Sequence, residues 1–213
     1  MSDIATRRKQ TYYLTTLGLL TALVILLQVV LGGVKLGPVS VTFTMIPIVL
    51  GAMLLGKGAG AILGGVFGIV VIIMGAVGVD GFTLLLLNEH PVFTVLICMV
   101  KGIAAGFCAG LVYQLVRGNT AADSGRGLAA SIVAACVAPV VNTGLFILGA
   151  LTLVGDTLTA NFSAFGWTGD SLIMFLIIAC AGWNFVAEFV INVILSPALH
   201  RIYLIVKKQV SRG

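Results

Sequence analysis

Residues 58–79 read GAGAILGGVFGIVVIIMGAVGV, without one charged side chain. As a helix rising about 1.5 Å per residue, this run reaches roughly 33 Å and matches the ~30 Å hydrocarbon core of a bilayer. Five further apolar segments lie outward from it, at 12–31, 41–55, 92–116, 128–153 and 171–195. The pattern predicts an all-α membrane protein with six transmembrane helices in a single integral domain, 1–213, ending in a tail, 196–213. The segment 41–55 is short and contains Pro47, a source of kink or tilt. No alternation of period two appears, which excludes an outer-membrane barrel. The first segment lacks a small-residue cleavage site and is too long for the apolar region of a signal peptide.

Composition agrees. Of 213 residues, 60% are hydrophobic and 9% are charged, against about 45–50% and about 25% in soluble domains. A secreted disulfide scaffold, a disordered chain and a nucleic-acid binder are excluded. The formal charge of +5 is scattered over separate loops and forms no groove for nucleic acid. Cys98, Cys108, Cys136 and Cys180 all fall in apolar runs and read as small buried residues.

The charges sort by side. Arg7, Arg8, Lys9, Lys57, Arg117, Arg126, Arg201, Lys207, Lys208 and Arg212 fall on one side of the predicted spans. Basic residues in short loops mark the cytoplasm, so both termini are expected there and the protein is expected to be multi-pass in the cell membrane. The other side carries Lys35 with Asp80, Glu89, Asp156 and Asp170. Its connectors, 32–40, 80–91 and 154–170, are the longer ones. They are expected to act as lids over a site that opens outward, or else as plain linkers.

Gly51-x-x-x-x-Gly56-Lys57-Gly58 imitates a phosphate-binding loop. It lacks the Ser or Thr that holds magnesium and joins two membrane spans instead of following a strand. ATP hydrolysis is therefore not expected on this chain. Small residues recur at helical spacing: Gly60, Gly64 and Gly68 in the third span, Gly102, Gly106 and Gly110 in the fourth, and Gly18 with Ala22 in the first. Such stripes let helices pack closely. For Gly18 and Ala22 the surface fits either internal packing or docking against another membrane protein.

Lys101 and Glu188 are charges inside apolar spans. At bilayer depth such a group costs several kcal/mol, and it marks a functional site by default. Helical rise places Lys101 roughly 14 Å, Asn142 roughly 16 Å and Asn184 roughly 20 Å below the outer surface, close to one level. Asn184, Glu188 and Asn192 share a helix face at spacing four, with Trp183 beside it. Together they predict an enclosed polar pocket, with Lys101 attracting a carboxylate or phosphate. The alternative is an internal Lys101–Glu188 pair that merely holds the bundle. No catalytic or metal-ligand constellation appears. His200 is expected at the surface of the tail.

The stretches VTFTMIPIVLGAMLLGKGAGAILGGVFGIV, VFTVLICMVKGIAAG, APVVNTGLF and WNFVAEFVINVILSPAL, in this order, resemble the S component of an energy-coupling factor (ECF) transporter. The resemblance extends over almost all of the chain after residue 12. It implies a bacterial substrate-binding subunit for a water-soluble vitamin. It also implies a separate membrane T component, two cytoplasmic ATPases that supply the energy, and no cofactor. The loaded S component is thought to tip over in the membrane and release its substrate inside. The family's first-helix motif is Ala-xxx-Ala; here it is Gly18-xxx-Ala22, which keeps the surface small and marks it as the docking face. The chain is most similar to pantothenate-type members. Pantothenate would pair its carboxylate with Lys101 and engage Asn142, Asn184 and Asn88 with its hydroxyls and amide. Riboflavin-type and pyridoxine-type members remain alternatives, and riboflavin would need an aromatic slot from Phe43, Phe82, Phe93 and Trp183. A polytopic membrane enzyme using Lys101 and Glu188 as acid and base, or a structural subunit, are the readings from other classes.

Overall fold

The computed structural model describes residues 2–32 and 43–212, with side chains for 6–32 and 43–209. The expected outer connector 32–40, with Lys35, and the first residues of the segment 41–55 therefore lie mostly outside the described residues. The chain forms α1 (Ser2–Leu31), α2 (Met45–Leu55), α3 (Lys57–Ala76), α4 (Gly81–Glu89), α5 (Pro91–Arg117), α6 (Gly125–Leu153) and α7 (Gly155–Ala160). A 3-10 turn follows at Phe162–Phe165, then α8 (Leu172–Met174), a π-helical stretch (Phe175–Gly182) and α9 (Trp183–Arg212). No strand occurs among the described residues. Five helical segments are long and apolar enough to cross a bilayer, and α2 is a shorter apolar sixth.

Three expectations need adjustment. First, the described helix of the segment 41–55 is α2, with 11 residues and a length of roughly 16 Å, which makes it the shorter sixth helix of the expected bundle. Its Met45, Pro47, Ile48, Val49 and Ala52 are buried, so it is a core element. Pro47 introduces no kink, because it sits in the first turn, where backbone N–H groups have no intrahelical partner. Second, most of 80–91 is helix. The Asp80 carboxylate caps α4 by accepting from the Phe82 amide at 3.2 Å and from the Thr83 hydroxyl at 2.6 Å. Third, the expected tail continues α9 to Arg212. His200 is buried there, with Nδ1 2.9 Å from the Ser131 hydroxyl.

The glycine stripes of α3 and α5 meet face to face. A Cβ at Gly60 would strike the carbonyl oxygen of Gly106, and one at Gly106 would strike that of Gly60. Gly64 and Gly102 stand in the same reciprocal relation, and Gly68 would meet the Cys98 carbonyl at 2.7 Å. Absence of side chains on both helices lets their backbones touch, which maximises dispersion contact where lipid supplies no hydrophobic drive. One apolar core then joins α1, α2, α3, α5, α6 and α9 through Leu20, Ile48, Leu63, Ala105, Ala134 and Leu199. A second, rich in Phe, joins α4, α7 and the π-helical stretch at the other end. Leu19, Ile25, Ile69, Val140 and Ile194 are among the large apolar side chains left facing outward, as lipid contact requires.

Candidate functional site

Between the two cores lies a cavity of about 60 Å³, lined from α1, α3, α4, α5, α6 and α9. Lys101, Asn142, Asn184 and Glu188 all line it. The common depth read from helical rise thus becomes a common site. The Lys101 ammonium lies 5.1 Å from the centroid of the Phe146 ring and 5.9 Å from that of Phe67. A cation over a ring face gains about 0.5–2 kcal/mol, the upper end when desolvated. The glycine contact sets this geometry, since Lys101 adjoins Gly102, and a Cβ at Gly102 would also meet Phe67 at 3.2 Å.

The amides supply the second feature. The side-chain oxygens of Gln28, Asn142 and Asn184 are buried and have no hydrogen-bond partner among the described residues. All three residues line the cavity. Buried polar atoms are nearly always satisfied, so three orphaned acceptors around one small space call for a donor-rich guest. Asn192, on the same face as Asn184 and Glu188, lies outside the lining and instead donates its amide to the Glu188 carbonyl at 2.8 Å.

Other expected residues are placed elsewhere. Asn88 is exposed near the end of α4 and does not line the cavity. Phe43 is partly buried outside the lining. Trp183 is 74% exposed, because one residue along a helix turns the side chain by about 100° from Asn184. Of the proposed aromatic slot, only Phe82 reaches the cavity; Phe93 is 41% exposed.

Gln28, Asp80, Thr83, Phe67 and Phe146 line the cavity too. Gln28 is a lone polar residue in an apolar span, the same signal that marked Asn142. Phe146 lies one helical turn beyond Asn142 and so shares its face. Asp80 was read as an acidic residue of an outer connector, and its place in the cavity wall follows from the inward fold of the helix it caps.

An aromatic cluster closes the end nearest α4. Phe82 packs on Phe146 at 5.8 Å and on Phe165 at 5.3 Å, and Phe175 packs on Phe162 at 5.0 Å and on Phe165 at 5.7 Å. His90 Nε2 lies 2.8 Å from the Thr157 hydroxyl and ties the start of α5 to α7. The connectors 80–91 and 154–170 are therefore packed over the cavity.

No curated protein matches the chain. A family profile described as "ECF transporter, substrate-specific component" matches residues 12–200, from the first span through the buried His200. Since that match takes in every element that builds the cavity, the chain belongs to the family of substrate-specific components of ECF transporters.

Proposed function

We propose that this subunit binds pantothenate, entering from the end covered by α4 and Phe162–Phe165, while the basic end of the bundle faces the cytoplasm. One observation carries the reading: a single cavity combines the Lys101 ammonium with three orphaned amide oxygens. Pantothenate offers one carboxylate for the cation and three donors, two hydroxyls and an amide N–H, for the acceptors. The aromatic slot expected for riboflavin does not form from Phe43, Phe93 and Trp183, which lie outside the lining, although Phe67, Phe82 and Phe146 line the cavity instead. The purely structural reading is disfavoured by the open space that Lys101 and Glu188 both line.

At about 60 Å³ the cavity is far smaller than the roughly 300–1,000 Å³ of typical ligand sites. Admission of a vitamin thus requires the aromatic cover to move. Docking to the T component falls to α1. Gly18 and Ala22 are exposed, and nothing lies within 4 Å of a Cβ built at Gly18. Leu14, Leu19 and Ile25 flank this shallow notch and are exposed as well. Energy would come from ATPase subunits bound to that partner.

The test is a thermal-shift and native mass spectrometry panel of purified protein against water-soluble vitamins. Pantothenate should raise the melting temperature and remain bound in the gas phase. Stabilisation by a different vitamin, with none by pantothenate, would sink the assignment.

A further inference from the structure

The basic end of the bundle holds a second cavity, of about 340 Å³. Lys101 and Arg117 stand at opposite ends of this stretch of α5, roughly 24 Å apart by helical rise, so the two cavities are separate. Tyr113, Arg117, Tyr203, Lys207 and Gly56 are among the lining residues of the second. Arg117 Nη1 donates to the Tyr203 phenol oxygen at 2.6 Å, and Lys207 Nζ donates to the same oxygen at 3.4 Å. Both cations also rest on rings: the Arg117 guanidinium is 5.5 Å from the Tyr113 centroid, and Lys207 Nζ is 5.6 Å from that of Tyr203.

This cluster holds donors in excess. The Tyr203 oxygen accepts from two cations, which leaves its own proton to donate. Tyr113 is 2% exposed, and its hydroxyl makes no well-formed hydrogen bond among the described residues, although Tyr203 and Arg117 both stand close enough to interact with it. Arg117 Nε is likewise buried without a hydrogen bond among the described residues. Gly56, at φ 96°, begins the 20-residue α3, and no side chain caps that end. Its free N–H groups form the positive end of the helix dipole. Lys57 turns aside to lie over Phe107 at 5.3 Å and is not part of the lining. No acidic side chain lines the cavity among the described residues.

We propose that this cavity binds a phosphate-type anion, either the headgroup phosphate of an anionic lipid or free phosphate. Arg117 and Lys207 supply the charge, and Tyr113 and Tyr203 donate O–H groups. Donors arriving from both α5 and α9 suit a tetrahedral anion with oxygens on several sides better than a flat carboxylate. The inference is independent of which vitamin occupies the first cavity.

The experiment uses the whole protein in phosphatidylcholine nanodiscs. One arm titrates inorganic phosphate at fixed ionic strength, with chloride as the control. The other replaces part of the lipid with phosphatidylglycerol, without added phosphate. At least one arm should raise the melting temperature of the wild type. Response to phosphate alone identifies the free ion, and response to phosphatidylglycerol alone identifies the lipid. Arg117→Gln should weaken the responding interaction about tenfold or more, and Tyr113→Phe should weaken it measurably with the ring retained. Lys9→Gln, an exposed cation outside the lining, should leave it unchanged. If Arg117→Gln fails to fold, Tyr113→Phe decides alone. The proposal is overturned if neither arm stabilises the wild type, if Tyr113→Phe binds as the wild type does, or if Lys9→Gln weakens binding as much as the cavity variants.

Discussion

Replacing Lys101 by Met tests the proposed pantothenate site most directly. The side chain keeps its approximate length and loses its charge. In the free protein the ammonium rests on Phe146 at 5.1 Å and Phe67 at 5.9 Å. Those ring contacts exist before and after binding, so to first order they cancel from the affinity. What remains is the new pair with the ligand carboxylate. Removing one partner of a buried charge pair costs about 2–5 kcal/mol, much of it from the charge left alone. At about 1.4 kcal/mol per tenfold, affinity should fall between roughly 30-fold and several thousand-fold. Isothermal titration in detergent should compare pantothenate with its alcohol analogue on both proteins. The alcohol should bind the wild type weakly, by a similar factor, and should lose little more in Lys101→Met. General damage to the fold would weaken both ligands alike in the variant, so the coupling between the two changes isolates the contact. Equal affinity of acid and alcohol for the wild type would refute the reasoning and remove the charge argument for pantothenate.

The same reasoning applied elsewhere gives four further expectations. Gly102→Ala should lower stability by about 1–3 kcal/mol through overpacking against the Gly64 carbonyl, and it should also weaken substrate binding by displacing Phe67. Gly144→Ala, with open space around the new methyl, should be neutral or stabilising by up to about 1 kcal/mol; thermal unfolding distinguishes the two. Gly18→Leu with Ala22→Leu should leave vitamin binding intact and abolish uptake in cells, because both positions are exposed and remote from the cavity; retained uptake would place the docking face elsewhere. A cysteine introduced in the connector 118–127 of a cysteine-free variant should react with an impermeant thiol reagent only from the cytoplasmic side, and labelling from outside would invert the proposed orientation.

The spans could be read from sequence because hydropathy is local and a bilayer demands length. Lys101, Asn142 and Asn184 could be read as one level because helical rise converts position into depth. Azimuth was harder. Trp183 and Asn184 are neighbours in sequence, yet one is 74% exposed and the other lines the cavity. The π-helical run Phe175–Gly182 just upstream further breaks the 3.6-residue register by which faces are counted. Asn88 and Phe43 were chosen for their chemistry, an amide for a polar ligand and a ring for an aromatic one, and chemistry gives no direction for a side chain. His200 was expected at the surface because a basic tail usually lies there; the Ser131 contact that buries it comes from 69 residues away, and no local pattern announces it.

The two cavities show that charge sorting does more than set topology. A topology signal works with fully solvated lysines and arginines near a span end, and Arg7, Arg8 and Lys9 are exposed in that way. Arg117 is not. Its Nε is buried, its plane covers Tyr113, and its Nη1 is given to Tyr203. Desolvating a cation costs free energy that topology does not require, and one ring face and one phenol oxygen offset only part of it. An anion would supply the remainder. The other end of α5 has a different imbalance: Asn142, Asn184 and Gln28 leave acceptors without donors among the described residues, in a cavity that Lys101, Asp80 and Glu188 also line. One helix therefore links an acceptor-rich chamber to a donor-rich one. On the proposed readings, a ligand bearing hydroxyl or amide protons would complete the first, and one bearing negative oxygens the second.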